Sequence, residues 1–161
     1  SVKQWKRGNR FAFFWVWRTC CDFPHIGCSI LFSCFSQNKP SSWTILQQEK
    51  GVDIYYKYAP CSPSHGYDKE LVLLKLVNTS TDRSKYLSWD LESIHDKECF
   101  TCQYPDEYHM KVTLKPDESI EGSCKMDCPH ELRIFSKFTD KDCKKNYPPL
   151  SSFNLANFVV K

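Results

Sequence analysis

Ten cysteines in a chain of 161 residues are the strongest chemical signal in the sequence. Cysteines in an exported domain of this size are typical of a disulfide framework, although the sequence alone leaves the pairing open. Each bridge would stabilise the fold by about 2–4 kcal/mol. We therefore predict disulfide bonds among the six cysteines that follow residue 40, which are Cys61, Cys99, Cys102, Cys124, Cys128 and Cys143.

An alternative chemistry for four of these residues is metal binding. Two residues separate Cys99 from Cys102, three separate Cys124 from Cys128, and 21 lie between the two pairs. Four thiolates in two close pairs suit tetrahedral zinc. Such a pattern more often binds metal in a cytosolic protein than in an exported one. The alternative function is therefore an intracellular β domain stabilised by zinc.

Signals for catalysis are weak. The chain has only five glycines, and it contains no Gly-x-Ser-x-Gly elbow, no His-Glu-x-x-His helix and no phosphate-binding glycine loop. His95 and Asp96 are neighbours, but adjacent strand residues point to opposite faces. We expect His95 to lie at a solvated loop entrance. The sequence predicts a protein that is not an enzyme and holds no cofactor, apart from zinc in the alternative.

Three tyrosines could form an aromatic platform for a carbohydrate or a protein partner. Tyr55, Tyr56 and Tyr58 lie in a segment where apolar residues alternate with polar ones. This alternation favours Tyr56 and Tyr58 in the core and only Tyr55 at the surface.

The elements that must position these residues are organised around residues 70–94. Leu71–Val77 is a short apolar run, and residues 78–85 are rich in turn formers. Leu87, Trp89 and Leu91 then alternate with polar residues, which predicts a strand with one wet face. Trp89 is the largest apolar side chain on the inward face, so we expect other strands to pack around it.

Residues 41–161, which we call the body, repeat this pattern, and no stretch of ten residues in the body has helical periodicity. About seven short strands separated by turn signals are typical of a β-sandwich. We predict one all-β domain over residues 41–161, an antiparallel immunoglobulin-like β-sandwich, with residues 1–40 as a separate segment.

Several motifs of the body resemble those of known proteins. Residues 77–80, 87–89 and 114–119 resemble the B and C strands and the proline turn of bacterial immunoglobulin-like sandwiches. Residues 99–102, 114–124, 132–135 and 153–157 are similar to small secreted Bacteroidetes proteins of unknown function. The resemblance covers about residues 41–161 and implies a fold but no functional residue.

Residues 1–40 have features of an export signal. Ile26–Phe35 is an apolar stretch of h-region length, and the small residues that follow would make Gln37 the first mature residue. Leu31–Cys34 also resembles a lipobox, which would place a lipid anchor on Cys34. A third interpretation is that residues 1–25 are untranslated sequence read through.

The distribution of charge narrows the class of partner. Residues 1–40 carry six of the 22 lysines and arginines and one acid, whereas residues 41–161 carry 16 bases and 18 acids. The body therefore lacks the basic face of a nucleic-acid-binding protein, and we predict no nucleic-acid partner and no membrane span in it. The expected protein is secreted, periplasmic or associated with the outer membrane, and it binds an unknown protein or cell-surface ligand.

Overall fold

Nine β-strands build the part of the chain that the computed structural model describes, residues 39–62, 68–140 and 147–161. The predictions for residues 1–38 and for Cys143 lie outside these ranges. Two short 3₁₀ helices, at Thr101–Gln103 and His130–Leu132, are the only helices described, and neither has the length of a membrane span. The strands are β1 (Thr44–Glu49), β2 (Val52–Cys61), β3 (Lys69–Asn78), β4 (Lys85–His95), β5 (Glu98–Cys99), β6 (His109–Leu114), β7 (Ser119–Glu121), β8 (Arg133–Phe138) and β9 (Leu150–Val160).

The first sheet is antiparallel and has β3 at its centre. β1 pairs with β2, and β2 pairs with β3 along its whole length. β7 and β8 both pair with β3, opposite residues 75–77 and 69–73 respectively. Since those residues of β3 also pair with β2, β7 and β8 follow one another along the same edge of β3.

The second sheet is also antiparallel and has β4 at its centre. β9 pairs with one edge of β4. β6 pairs with residues 85–90 and β5 with residues 94–95. These two strands therefore share the edge of β4 that lies opposite β9.

The two sheets share one hydrophobic core. Val52, Ile54 and Leu74 of the first sheet belong to the same buried cluster as Leu87 and Trp89 of the second. Trp89 is fully buried, with Phe158 of β9 at a ring distance of 6.2 Å. The predictions of an all-β fold with antiparallel sheets and of a buried Trp89 are confirmed.

The sequence predicted too few strands, and β5 is one that it did not indicate. β5 lies in a segment that the sequence indicated to be a loop, because the turn before it, at Asp96 and Lys97, contains no glycine. Both residues have positive φ angles, 47° and 70°, as a two-residue hairpin turn requires. The described residues therefore contain nine strands rather than about seven.

An ionic cluster fastens the start of the described chain to the first sheet. The ammonium group of Lys39 lies 2.6 Å from a carboxylate oxygen of Glu70 and 4.6 Å from the centre of the Tyr58 ring. The buried hydroxyl group of Ser136 donates to the same carboxylate oxygen at 2.8 Å. Burial alone would raise the pKa of Glu70, but the hydrogen bonds from Lys39 and Ser136, together with the charges of Lys39 and Lys137, lower it.

Candidate functional site

A cavity of about 450 Å³ opens between the two sheets, on the side where β8 of the first sheet faces β4, β6 and the segment between β5 and β6. We call it the aromatic cavity. Its floor includes core residues from both sheets, among them Leu91, Met110 and Ile134. Its size and its apolar lining are those of a ligand site. Six ring side chains line it: His95, Phe100, Tyr104, Tyr108, Phe135 and Tyr147.

The rim of the aromatic cavity is unusually exposed for apolar residues. Phe100 is 37% exposed, Tyr104 54% and Tyr147 52%. Only six large apolar side chains are exposed among the described residues, and these three are half of them. Exposed tyrosine and phenylalanine grouped around a cavity are typical of a recognition surface.

His95 forms one wall of the aromatic cavity. Its Nδ1 lies 2.9 Å from the carbonyl oxygen of Pro148, which can only accept, so Nδ1 carries a proton and donates it. The ring packs edge-on against Phe100 at 4.9 Å and is stacked with Phe135 at 6.3 Å. His95 is only 5% exposed. The prediction of a solvated loop entrance is wrong, because the inward alternation of β4 continues through Ser93 to His95.

The Cys99–Cys102 disulfide supports the same wall. The hydroxyl oxygen of Thr101, between the two cysteines, accepts a hydrogen bond from the Ser93 backbone N–H at 2.9 Å. The backbone N–H of Phe100 donates to the Ser93 carbonyl oxygen at 2.9 Å. The closed loop is thereby attached to β4, and it holds the Phe100 ring against His95.

A second, smaller cavity of about 250 Å³ lies on the outer face of the first sheet. We call it the basic cavity. It is lined by Lys69, Leu71, His130, Arg133 and Phe135, and the last three of these also line the aromatic cavity. Its lining contains three basic side chains and no acidic one.

Charge near the basic cavity is only partly neutralised. His130 lies 3.4 Å from a carboxylate oxygen of Glu131. Arg133 donates to the neutral carbonyl oxygen of Lys125 at 3.1 Å. In the described part of the chain, Lys69 and Arg133 take part in no ion pair. Two cations are therefore available to an acidic ligand.

A third polar arrangement lies on the outer face of the second sheet. His109 Nδ1 and Asp90 Oδ1 are 2.6 Å apart, and the side-chain amide of Asn157 donates to the other Asp90 oxygen at 2.7 Å. The hydrogen bond from Asn157, and then that from His109, lowers the pKa of Asp90. Among the described residues, no hydroxyl or thiol group is hydrogen-bonded to His109.

The five cysteines among the described residues do not come together at one place. Cys61 is bonded to Cys124, and Cys99 to Cys102, so disulfide bonds are present as predicted. Cys128 is buried and forms no disulfide among the described residues. The two bridges indicate an oxidising, extracytoplasmic environment.

The four cysteines that would bind zinc in the alternative prediction are divided between the two disulfides and the unbridged Cys128. Three of them, Cys99, Cys102 and Cys124, have their sulfur atoms in disulfides, and Cys128 is separate. No group of three or more metal-ligating side chains occurs in residues 39–62, 68–140 and 147–161. The zinc site remains a prediction for the reduced protein.

The tyrosines proposed as a platform lie elsewhere. Tyr56 and Tyr58 are partly buried and pack against the core, as the alternation predicted. Tyr55 is also half-buried, rather than exposed at the surface as predicted, and it donates a hydrogen bond to Asp53. The aromatic cavity was not predicted, although the sequence carries a signal for it: two tyrosines, Tyr104 and Tyr108, closely follow the Cys99–Cys102 pair.

Comparisons with known proteins give no match to a family model, to a curated protein or to a solved structure. The function is therefore argued from the site itself.

Proposed function

We propose that this protein is an exported, disulfide-stapled binding module without catalytic activity, and that the aromatic cavity is its ligand site. The observation that carries the proposal is the rim of Phe100, Tyr104 and Tyr147, exposed around a cavity of about 450 Å³. Exposed aromatic groups have an unfavourable contact with water that a ligand would remove. Rigid aromatic side chains also lose little entropy on binding.

The disulfides support the proposed location. The long bridge from Cys61 to Cys124 spans 63 residues, and such bonds persist in oxidising compartments. Residues 1–40 would then supply the export signal, with Cys34 as the anchor if the protein is attached to a membrane. Export of the body agrees with the resemblance of residues 41–161 to secreted Bacteroidetes proteins.

The immunoglobulin-like architecture is part of the same proposal. The chain crosses from one sheet to the other three times, between β3 and β4, between β6 and β7, and between β8 and β9. β3 pairs with β8, and β4 with β9, as strands B and E, and C and F, do in an immunoglobulin sandwich. Trp89 on β4 would be the buried tryptophan of strand C. In this scheme the residues between β4 and β6 are loop-like and carry the binding surface.

A ligand screen with two matched variants tests the proposal. The full chain would be titrated with peptides, oligosaccharides and aromatic amino acid derivatives while NMR follows its aromatic side chains. A double variant, Tyr104→Ala with Tyr147→Ala, should lower the affinity of any ligand found by about tenfold or more, since these rings form the rim. Tyr86→Ala is the matched control because Tyr86 is an exposed tyrosine outside the cavity lining. A ligand whose affinity falls equally in both variants would contradict the assignment of the site.

A further inference from the structure

The edge of β8 is open in the described structure. β8 pairs with β3 on one side, and none of the described strands pairs with its other side. The aromatic cavity lies beside this strand, on the inner face of the sheet. An open edge next to a cavity is the arrangement in which a sheet can accept a further strand.

The hydrogen-bonding pattern between β3 and β8 shows which backbone N–H and C=O groups of β8 point away from β3. The N–H of Gly122 donates to the carbonyl oxygen of Leu74, so Leu74 faces the edge of β3 that bears β7 and β8. In an antiparallel strand, the backbone N–H and C=O groups of successive residues point to alternate edges. Those of Val72, two residues before Leu74, therefore point to the same edge as those of Leu74. Val72 is paired with Ile134 of β8, so the backbone of Ile134 bonds to β3.

The neighbours of Ile134 face the other way. The backbone C=O group of Arg133 and both backbone groups of Phe135 point toward the open edge, and no backbone hydrogen bond among the described residues reaches them. The N–H group of Arg133 already donates to the carbonyl oxygen of His130. Beyond them a bulge at Ser136 interrupts the ladder, which resumes at Lys137 and Phe138. The available edge is therefore short and centred on Ile134.

The two cavities lie on opposite sides of this edge. The aromatic cavity includes the inward-facing Ile134, which belongs to the main core. The basic cavity includes Leu71, which belongs to the separate cluster on the outer face of the sheet. Side chains of a strand alternate between the two faces of a sheet. A strand added here would direct successive side chains into the two cavities in turn.

Building on the proposed function, we propose that the ligand is an extended segment of a partner protein that adds as a strand along β8. One of its side chains is apolar or aromatic and enters the aromatic cavity. The next is acidic and enters the basic cavity, where Lys69 and Arg133 are free of ion pairs within the described residues. Backbone hydrogen bonds to Arg133 and Phe135 supply affinity, and the two cavities supply specificity.

A set of defined peptides tests this inference on the full chain. The probes are capped octapeptides in which phenylalanine, tyrosine or leucine alternates with glutamate, and matched peptides in which lysine replaces glutamate. We expect the glutamate peptides to bind at least about tenfold more tightly than the lysine peptides, because the basic cavity favours acids. Binding by none of the glutamate peptides, or equal binding by both series, overturns the inference.

Amide hydrogen exchange reads the strand addition directly. In the complex, the amide proton of Phe135 should exchange about tenfold more slowly than in the free protein, because it gains a hydrogen-bond acceptor. The amide proton of Ile134 is the internal control, since it is already bonded to β3. Peptide binding without slower exchange at Phe135 overturns strand addition, although it leaves the cavity as the ligand site.

A charge-reversal variant tests the basic cavity independently of the aromatic cavity. Lys69→Glu should weaken the glutamate peptides and strengthen the lysine peptides, whereas Lys111→Glu, on an exposed position of β6, should change neither. An unchanged preference in Lys69→Glu contradicts the basic cavity as the acidic subsite. The proposed function fails separately: it fails if the peptides bind and the double variant Tyr104→Ala, Tyr147→Ala binds them as well as the native chain.

Discussion

His95 and Pro148 are joined by a hydrogen bond of 2.9 Å from the imidazole Nδ1 to the carbonyl oxygen. The bond connects the end of β4 to the segment that leads into β9. Tyr147, on the rim of the aromatic cavity, immediately precedes Pro148. One buried side chain therefore holds both a wall and part of the rim of the candidate site.

Replacing His95 tests this connection. His95→Leu leaves the Pro148 carbonyl without its donor, and it should lower the free energy of unfolding by about 1–3 kcal/mol. His95→Asn retains an N–H donor on a side chain of similar reach and should recover part of the loss. Urea denaturation of both variants provides the measurement. Equal loss in the two variants would show that the hydrogen bond contributes nothing.

Glu70 gives the fold a defined pH dependence. Its pKa in the folded protein is lower than its usual value of 4.5, so the folded state favours the charged carboxylate. The stabilisation is complete above the unfolded pKa and is lost as the pH falls through the lower folded pKa. Glu70→Gln should lower the free energy of unfolding by about 1–2 kcal/mol at pH 7, a modest loss because the carboxylate is partly exposed. The difference in stability from the native chain should shrink below pH 4.5. A difference that is constant from pH 7 to about pH 3 would contradict the ionic role of this cluster.

The two disulfides should differ in what they contribute to stability. The Cys61–Cys124 bridge closes a separation of 63 residues, and the Cys99–Cys102 bridge a separation of three. On chain-entropy grounds, replacing the first pair with serine should cost about 4 kcal/mol and replacing the second about 1.5 kcal/mol. Denaturation midpoints of the two double variants make the comparison.

The short bridge should matter more for binding than for stability. Without it, Phe100 is held against His95 only by hydrogen bonds from the loop, and the affinity of the aromatic cavity should fall. The variant that lacks the Cys61–Cys124 bridge serves as the control, because neither of those cysteines lines the aromatic cavity. Full affinity after loss of the Cys99–Cys102 bridge would remove it from the site.

Trp89 supports the packing of the two sheets. Trp89→Ala should cost about 3–5 kcal/mol through the cavity it leaves. Trp89→Phe should cost clearly less, because it fills most of the space and removes an indole N–H that has no hydrogen-bond partner among the described residues. Thermal unfolding of the two variants gives the measurement, with Tyr86→Ala on the same strand as a surface control. Similar losses for alanine and phenylalanine would show that volume is not the main contribution.

The fold followed from the sequence wherever alternation was long and regular. The alternation through Leu87, Trp89 and Leu91 was enough to place β4 and its buried face. The same alternation extends to His95, but its polar side chain and the following Asp96 indicated a loop. Burial of His95 depends on a carbonyl oxygen 53 residues further along the chain, and local sequence carries no sign of it.

The candidate site could be predicted only in part for the same reason. Cys99 and Cys102 were singled out by their spacing, and the structure places both beside the aromatic cavity. The cavity itself arises where β8 faces β4, β6 and the segment between β5 and β6, elements that belong to different sheets. Which aromatic side chains meet there is decided by strand pairing rather than by local pattern.

Disulfide mapping of the native protein tests the central claim most directly, since the two bridges both indicate the compartment and support the site. The protein would be alkylated without reductant, digested and analysed by mass spectrometry, with its zinc content measured in parallel. The account predicts that Cys61 is linked to Cys124 and Cys99 to Cys102, with no bound zinc. Free thiols at Cys99, Cys102, Cys124 and Cys128, together with one zinc ion per chain, would contradict it.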